Sequence, residues 1–449
     1  MARKPLARLR PQARTFLEAL RQFLTPAVWK QAHQAAGKRR RRLRWDLQPL
    51  VLVLTLMTWS CGDCQAERFE AAKAFCILCR NKQKRPGRTL PGFQKALARL
   101  PLPVLRAVAA GVRQRIAALL PLVVDGFIPL GCDGTRLECP RSEPCERFLS
   151  KANQKHAAPT IWLTSVVHLR LGVPWCWRWG KGNANERWHL QQMVPLLPAL
   201  TLLVADAGYL GYELMKWLNT QMAFLIRGCS KAPLYTKDRV KLDAFREGEC
   251  LYWPQEAQKQ GEPPLRVRVL RVRKKKKGKS KSYDVWLITN VLDPKRLSLA
   301  QASTFYRWRW ENEGFFRTYK RTLKKMKLES RTIALLHREA EGSLLAMQLL
   351  LAQGARAMPT QAGQPPPQAS PRKVLREIRC EILVASARLR RKNFGNRLRE
   401  AQRERRQRTT PKQKRSWPRR VPHKPLKPPR FLKLTKALNA ILDELECLF

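Results

Sequence analysis

The chain has 449 residues, of which 44% are hydrophobic, and its 89 lysines and arginines against 33 acids give a net charge of +56 at pH 7. The apolar fraction excludes a wholly disordered basic protein, because such a chain could not bury enough surface to fold. The charge indicates a polyanionic partner. No run of about 18 apolar residues occurs, and the N-terminal residues lack the apolar stretch of a signal peptide. We therefore predict a soluble protein that does not span a membrane and stays inside the cell.

Three segments carry most of this charge. Residues 1–50, 265–281 and 371–430 have net charges of +11, +10 and +18, and we call them the three basic blocks. A single basic run is equally well explained by a solvated surface or a flexible tail. Three blocks interleaved with tryptophans favour contact with nucleic acid. These tryptophans are Trp45, Trp286 and Trp417.

The first part of the chain has the periodicity of helices. Phe16, Leu20 and Phe23 recur at helical spacing. A second apolar face further along comprises Phe69, Ala72, Phe75 and Cys79. We predict a helical, basic N-terminal DNA-binding domain over residues 1–119.

Four cysteines of this region form two pairs with C-x2-C spacing, Cys61 with Cys64 and Cys76 with Cys79. The gap between the pairs is shorter than the 15–20 or so residues usual in such zinc sites. Cys76 and Cys79 also fit an apolar helical face. Packing in the core is the favoured interpretation, and zinc binding is the alternative.

Short strands rich in valine, isoleucine and leucine begin after residue 120. They are predicted at 128–132, 161–169, 173–179, 202–205 and 223–226, with helices at 186–197 and 209–219. Three successive strands, followed by strands that alternate with helices, predict an α/β domain with a mixed sheet over residues 120–345.

A β-rich insertion is predicted at about residues 230–300 of this domain. Within it, the segments 265–273 and 284–289 are predicted to pair as a hairpin with a lysine-rich tip. Residues 346–449 are assigned to a helical, basic C-terminal region. This region comprises a proline- and glutamine-rich linker, a basic tail and an amphipathic helix from Phe431 onward.

A long helix is predicted from about residue 298 to 327, and several of its polar residues share one face. The residues are Tyr306, Arg309, Glu313 and Lys320, with Arg317 beside them. At about 100° per residue the first four fall within about 60° of one another. A carboxylate among cations and a hydroxyl suits a metal site that handles phosphate. The spacing alone favours the other interpretation, an exposed helix with salt bridges.

Two aspartates follow predicted strands, Asp133 in CDGTRL and Asp206 in VADAGY. A carboxylate at a strand end is held on a rigid edge, where groups distant in the sequence can converge on one cation. With Glu313, the two aspartates could hold a pair of Mg²⁺ ions about 4 Å apart. Such a pair activates a water or a 3′-hydroxyl and stabilises the leaving oxygen.

These residues resemble the insertion-sequence-4 family of DDE transposases. The spacing Tyr306-x2-Arg309-x3-Glu313-x6-Lys320 matches the family's Y-(2)-R-(3)-E-(6)-K motif at every position. The segments CDGTRL and VADAGY resemble the first and second aspartate segments of the family, and the resemblance spans roughly residues 120–335.

The resemblance implies an RNase H-like catalytic fold that a β-rich insertion interrupts between the second aspartate and the glutamate. It implies that the metal-binding catalytic triad is Asp133, Asp206 and Glu313. The residues that would hold DNA phosphates near the cleaved end are Tyr306, Arg309 and Lys320. Arg317 is a further candidate for DNA binding because it shares their helical face. The implied cofactor is two Mg²⁺ ions, with Mn²⁺ as a substitute.

Three further candidates come with the resemblance. Trp286 in the hairpin is the candidate for stacking on a flipped terminal base, and a tryptophan of the core is the alternative. The segment GNANERWH resembles the Asn-Glu segment of the family. Glu186 and His189 in this segment are therefore candidates for supporting roles near the metal site.

The function implied is cut-and-paste DNA transposition, with Mg²⁺-dependent cleavage at the ends of the element and transfer of the 3′-hydroxyl into target DNA. The expected partners are the element ends, the target DNA and a second copy of the chain in a synaptic homodimer. No Walker-type glycine loop occurs, so no nucleotide cofactor is expected. The expected location is the cytoplasm, on the nucleoid.

Two alternatives remain open at this point. One is a non-catalytic or domesticated DNA-binding protein that depends on the basic blocks alone. The other is an RNase H-like nuclease without strand transfer.

Overall fold

The structure is a computed structural model that describes residues 13–37, 45–79, 86–151, 158–238, 240–275, 282–359, 368–384, 394–399 and 426–447. The basic run 38–42, the hairpin tip and most of the predicted linker and basic tail lie outside the described residues. The chain divides into two compact units. The first unit comprises Met1–Leu122, Gly134–Leu196 and Glu311–Glu404, and the second comprises Val123–Asp133, Leu197–Trp310 and Arg405–Phe449. The domain boundaries at residues 119 and 345 stay a prediction.

The described residues contain sixteen α-helices. They are α1 (Phe16–Phe23), α2 (Pro26–Ala36), α3 (Leu47–Trp59), α4 (Gln65–Leu78), α5 (Leu90–Ala98), α6 (Leu102–Leu119), α7 (Glu143–Phe148), α8 (Glu186–Met193), α9 (Tyr212–Gln221), α10 (Gln255–Lys259), α11 (Leu299–Trp308), α12 (Trp310–Arg317), α13 (Ile333–Ala357), α14 (Pro371–Val384), α15 (Phe394–Arg399) and α16 (Lys436–Cys447). None of the helices in the described part of the chain is both long and apolar enough to cross a membrane.

The same residues contain eleven β-strands, which give a mixed α/β structure with a large mixed sheet. They are β1 (Ile128–Glu138), β2 (Ser150–Lys151), β3 (Pro159–His168), β4 (Val173–Lys181), β5 (Thr201–Ala205), β6 (Ala223–Arg227), β7 (Pro233–Thr236), β8 (Glu247–Tyr252), β9 (Leu265–Lys275), β10 (Ser282–Thr289) and β11 (Arg430–Lys433).

The N-terminal part of the first unit is helical, as predicted. Helices α1 to α6 occupy the described part of residues 1–119. Thr15 caps α1 by accepting a hydrogen bond from the Glu18 N–H, and Phe16, Leu20 and Phe23 are buried. The helical periodicity therefore marked the face that packs into the core.

Helix α13 forms the centre of the first unit. Its residues are buried on every side from Glu339 to Gly354, and it packs against α3, α6 and β4. A helix that is apolar or buried all round belongs to a core. The close approach of α13 to α3 depends on Gly342, because a Cβ there would lie 2.4 Å from Leu54 Cδ2.

The second unit contains a sheet in which parallel and antiparallel strands adjoin. β5 pairs in parallel with both β1 and β6, and β6 then pairs antiparallel with β10. Strands β10, β9, β8 and β7 continue the sheet in antiparallel order. The β9–β10 hairpin was predicted, and the β-rich segment adds its strands to the sheet that contains β5 and β6.

The C-terminal helix begins later than predicted. Phe431 lies on β11, which pairs in parallel with β7, and α16 begins only at Lys436. Leu434 is buried at the end of the strand, and Leu438 is half-buried. The alternation of apolar residues around Phe431 therefore belongs to a strand.

The prediction of one continuous helix from about residue 298 to 327 is wrong. Ser298 and Gln301 form a capping box that starts α11, as the sequence pattern allows. The helix then stops at Trp308, because the Arg309 N–H donates to the Tyr306 carbonyl (3.2 Å) in a tighter turn.

A second irregularity follows α12. Thr318–Thr322 is a π-helix, and the Thr318 hydroxyl donates to the Gly314 carbonyl (2.9 Å), a bond that bends helices. Lys324 has a φ of 55°, which ends the helical path. The four predicted stripe residues are therefore distributed over three helical segments, with Tyr306 on α11, Glu313 on α12 and Lys320 on the π-helix.

The Gly342 contact predicts the effect of adding one methyl group. We expect Gly342→Ala to lower the free energy of unfolding by about 1–3 kcal/mol, because overpacking against Leu54 outweighs the gain in helix propensity. Urea denaturation measures the change. Gly314→Ala is the matched control, since its Cβ would meet nothing closer than 3.5 Å and should be neutral or stabilising. The close-packing explanation is wrong if adding Leu54→Ala does not relieve the loss in Gly342→Ala.

Candidate functional site

The pairing of three parallel strands aligns three charged residues in the second unit. β1 pairs with β5 from Ile128↔Thr201 to Gly131↔Val204, and two further residues bring Asp133 level with Asp206. The β5–β6 register likewise brings Arg227 level with Asp206. Neighbouring strands are about 4.8 Å apart, and aligned residues of parallel strands point to the same face. Two carboxylates and one guanidinium therefore adjoin on one face of the sheet.

Asp206 is placed by both its strand and its own side chain. Its backbone is extended, so it continues β5. Its Oδ1 accepts a hydrogen bond from the Gly208 N–H (2.8 Å), which caps the short 3₁₀ helix Ala207–Tyr209. Asp133 and Asp206 are both partly exposed.

Tyr306 and Arg309 lie in the second unit beside this row of charges. Burial raises the pKa of Tyr306, the positive charges of Arg309 and Arg227 oppose the rise, and the negative charge of Asp206 adds to it. The Arg309 guanidinium lies 5.7 Å from the centre of the Tyr306 ring and 5.3 Å from that of the exposed Trp310. Tyr306 therefore keeps its proton and can act as a hydrogen-bond donor near Asp206.

In the first unit, Lys320 contacts β1 just beyond the aspartate. Its ammonium donates to the Thr135 hydroxyl (2.7 Å). Burial lowers the pKa of Lys320, and the charge of Glu138 opposes this effect. Lys320 lies on the π-helix, and such helices occur frequently at functional sites.

Glu186 also lies against this part of β1 in the first unit. A Cβ on Gly134 would lie 2.7 Å from Glu186 Oε2 and 2.6 Å from Trp162 Nε1. The absence of a side chain at Gly134 therefore lets a carboxylate approach the backbone directly after Asp133.

His189 holds helix α8 in position. It is buried, and its Nδ1 forms a hydrogen bond with the Thr164 hydroxyl (2.9 Å). Burial lowers the pKa of His189, and the charge of Arg178 lowers it further. A neutral histidine in this position holds α8, and with it Glu186, against β3.

Glu313 and Arg317 are exposed on α12 in the first unit, whereas Asp133 and Asp206 belong to the second. In the described part of the chain, no group of three or more His, Cys, Asp or Glu side chains is placed to hold a metal ion. The two aspartates alone are level with each other on adjacent strands. Their carboxylate oxygens are the ligands that Mg²⁺ prefers, and their partial exposure leaves room for water and substrate, so this pair fits the predicted cation.

The cysteine pairs lack the character of a metal site. Cys61 and Cys64 are exposed, while Cys76 is buried and Cys79 is half-buried. Burial raises the pKa of Cys79 to about 12, and the charge of Cys76 adds to the rise. Among the described residues, these cysteines are not part of any group of three or more potential metal ligands. These observations agree with the core packing that the sequence favoured for Cys76 and Cys79.

Trp286 is buried on β10 in the second unit. Its ring centre lies 5.7 Å from that of Phe245 and 5.6 Å from that of Phe431, and the Arg271 guanidinium lies 5.5 Å from it. This is the environment of a core tryptophan, the alternative that the sequence left open. Stacking on a DNA base stays a hypothesis.

Two residues of the site were missed in the sequence. Arg227 ends the apolar strand β6 as Asp206 follows β5, so the same strand-end rule could have identified it. Thr135 lies in the CDGTRL segment, but only the fold shows that its hydroxyl accepts from Lys320.

Comparison with known proteins supports a transposase. Residues 132–349, which include both aspartates and Glu313, match the family model of the transposase DDE domain. Among solved structures, the chain is similar to the piggyBac transposase in a synaptic complex with hairpin DNA, with a TM-score of 0.43 and 10% sequence identity over 86% of this chain and 84% of that chain. That similarity is too low to carry an argument. Curated proteins show no match. Just under half of the chain, residues 132–349, therefore resembles a transposase DDE domain.

The contact between Lys320 and Thr135 can be tested by removing one hydroxyl. We expect Thr135→Val to lower the free energy of unfolding by about 1 kcal/mol, because Lys320 is half-buried and loses its hydrogen-bond acceptor. Thr135→Ser keeps the hydroxyl and should stay within about 0.5 kcal/mol of the wild-type value. Chemical denaturation of both variants gives the comparison, and an equal loss in both would exclude a role for the hydrogen bond.

Proposed function

We propose that this chain is a DNA transposase of the insertion-sequence-4 type. In this proposal it cleaves DNA at the ends of its own element in the presence of Mg²⁺ and transfers the 3′-hydroxyl into target DNA by cut-and-paste transposition. The observation that carries the proposal is the register that brings Asp133 level with Asp206 on adjacent parallel strands. The match of residues 132–349 to the transposase DDE domain supports it.

Asp133 and Asp206 would hold the cation, and Glu313 would complete the ligand set in an RNase H-like catalytic domain. When bound, Mg²⁺ supplies activation of a water or 3′-hydroxyl and stabilisation of the leaving oxygen. Mn²⁺ has similar ligand preferences and would substitute.

The surrounding side chains would position the DNA. The Tyr306 hydroxyl is protonated at neutral pH, as in any tyrosine, and although it is buried in the free protein it would donate to a phosphate oxygen once DNA binds. Arg309 and Lys320 would neutralise phosphates near the cleaved end, as would Arg227 and the exposed Arg317. Glu186, held against Gly134, would support the backbone that carries Asp133.

The proposed activity is tested by end cleavage and joining with DNA that flanks the gene. Asp133→Asn, Asp206→Asn and Glu313→Gln should each reduce Mg²⁺-dependent cleavage by more than about 100-fold, since loss of a ligand should exceed the effect of losing an outer-shell partner. DNA binding should persist in all three variants. Native gels measure binding, and denaturing gels measure cleavage and strand transfer.

The matched controls change equivalent charges elsewhere. Asp125→Asn alters an exposed turn residue with a φ of 48°, which asparagine tolerates, and Glu256→Gln alters an exposed residue of α10. Both should retain full cleavage. Cleavage that survives all three site substitutions would remove the mechanism. Binding without any wild-type cleavage would favour the non-catalytic DNA-binding protein, and cleavage without joining would favour a nuclease.

The proposed synaptic complex contains two copies of the chain on paired ends, and α16 is the proposed contact. Its Ile441 side chain is 40% exposed, while Leu438 and Leu442 are half-buried. Deleting residues 436–449 keeps β11 paired with β7 and removes only the helix. We expect this variant to bind single ends normally and to form fewer paired-end complexes in native gels. An unchanged yield of paired-end complexes would refute the role of α16.

A further inference from the structure

Lys320 lies on the π-helix Thr318–Thr322 of the first unit, just before the helical path ends. The Lys325 N–H donates to the Tyr319 carbonyl (3.2 Å), and Lys324 between them has a φ of 55°. A non-glycine residue with a positive φ is uncommon, and it persists where the surrounding structure holds it in that conformation. The turn that follows Lys320 therefore depends on contacts from elsewhere in the unit.

One buried carboxylate on α13 supplies such contacts. Glu339 is 8% exposed, and its Oε1 accepts a hydrogen bond from the Lys325 ammonium (2.7 Å). Its two oxygens also accept from the backbone N–H of Glu329 (3.1 and 3.0 Å), and Oε2 accepts from that of Ser330 (2.8 Å). These donors belong to residues 323–330, which we call the post-motif loop. Glu339 therefore holds this loop near its start and at its end.

A second residue of α13 holds the chain on the other side of Lys320. Ser343 is four residues after Glu339, so the two side chains share one face of the helix. The Tyr319 and Ser343 hydroxyls form a hydrogen bond (2.7 Å), and both residues are buried. Tyr319 directly precedes Lys320 in the chain. One face of α13 thus contacts the chain both before and after Lys320.

The post-motif loop is also paired with the strand that Lys320 contacts. The Leu328 N–H donates to the Glu138 carbonyl (2.9 Å), and the Glu138 N–H donates to the Met326 carbonyl (3.3 Å). Glu138 is the last residue of β1, and Thr135 on the same strand accepts from the Lys320 ammonium. The backbone on either side of the Lys320–Thr135 contact is therefore fixed.

The Lys320 ammonium is suited to a further, anionic partner. It has three N–H donors, and Thr135 accepts from one of them (2.7 Å) without neutralising the charge. Within the described part of the chain, Lys320 forms no ion pair, and Glu138, the acid whose charge acts on it, lies beyond ion-pairing distance. Lys320 is half-buried, so a phosphate that reached it would form a charge-assisted hydrogen bond in a partly desolvated position.

The buried pair of Lys325 and Glu339 is poorly explained by stability alone. Lys325 is 7% exposed, so both charges are removed from water, which costs free energy. Apolar residues of similar volume are often at least as stabilising as a buried ion pair. A pair in this position is better explained by the geometry that it fixes.

We propose that Glu339 is a positioning residue that holds Lys320 at Thr135, in place to contact a DNA phosphate. Glu339 does not itself touch DNA in this proposal, since it acts through Lys325 and through the backbone of the post-motif loop. The inference rests on the proposed function for the identity of the anion, whereas the placement of Lys320 can be measured without DNA.

The test measures the rate at which acetic anhydride acetylates Lys320 in the full chain without DNA. Lys325→Met with Glu339→Gln, the pair variant, removes both charges together, so no unpaired charge stays buried, and the glutamine oxygen can still accept from the loop. We expect Lys320 to react about fivefold faster in this variant, which is the equivalent of losing one hydrogen bond. Mass spectrometry of the digested protein gives the rate at each lysine.

Two controls separate release of Lys320 from general loosening of the fold. Lys73 on α4 is also half-buried in the first unit, and its acetylation should not change in the pair variant. Lys73→Met with Glu70→Gln removes an ion pair (2.6 Å) of the same net charge and should leave the acetylation of Lys320 unchanged.

A second variant tests the same placement if the pair variant does not fold. Tyr319→Phe keeps the buried ring and removes only the hydroxyl that contacts Ser343. Faster acetylation of Lys320 is expected here as well. In whichever variant folds, an unchanged rate at Lys320, or an equal rise at Lys73, would overturn the inference.

Duplex DNA binding without Mg²⁺ then tests the phosphate contact. Lys320→Met should reduce the slope of log K against log salt by about 0.9, the value of one phosphate contact, and the pair variant should do the same. Combining all three substitutions should add nothing further, because they remove one contact. A slope that falls in Lys320→Met but not in the pair variant would overturn the inference.

These results are distinguishable from the fate of the proposed function. Faster acetylation of Lys320 in the pair variant, with an unchanged slope in Lys320→Met, would support the positioning by Glu339 and refute the phosphate contact assigned to Lys320. Normal DNA cleavage by the wild type, with unchanged acetylation of Lys320 in the folded variants, would refute the positioning alone.

Discussion

The parallel pairing of β1 with β5 is the constraint on which the candidate site depends. Its register runs from Ile128↔Thr201 to Gly131↔Val204, and it brings Asp133 and Asp206 level on one face although 72 residues separate them in the chain. Residues aligned on parallel strands must share a face, so no side-chain adjustment is needed to bring the carboxylates together. The same register, continued to β6, adds Arg227. β1 then runs on to Gly134 and Thr135, where Glu186 and Lys320 make their contacts.

Charge has two distinct roles in this protein. The basic blocks provide an excess of positive charge that suits any polyanion, with binding that weakens steeply as salt rises. The carboxylates are far fewer, and the environment of each one differs with its place in the fold. Glu341 accepts from two tryptophans and an arginine in the core, whereas Asp133 within β1 and Asp206 after β5 stay partly exposed. This contrast separates a buried carboxylate that holds elements together from two carboxylates that lie nearer the solvent.

The prediction of one continuous helix from about residue 298 to 327 failed for a local physical reason. Periodicity treats a helix as a straight cylinder, but the turn at Arg309 and the π-helix from Thr318 to Thr322 interrupt it. Tyr306 is buried on α11, and Glu313 is exposed on α12. For Trp286, the family resemblance suggested stacking on a base, while the sequence itself favoured a core tryptophan. The ring packs on Phe245 and Phe431, as the core interpretation requires. Phe431 comes from the distant C-terminal segment, so no local pattern could have revealed that contact.

The sequence by itself determined the helical N-terminal region, the mixed α/β character and the position of Asp206 after a strand, because hydrophobic periodicity reports which face of an element is buried. The predicted strand end at Asp133 is wrong, since β1 continues to Glu138 and Asp133 lies within it. The motif residues were likewise recognisable from their spacing. Only the tertiary structure decided the contacts of Lys320 with Thr135 and of Glu186 with Gly134. Such contacts depend on strand register and helix packing, which arise from many distant residues together and leave no local pattern in the chain.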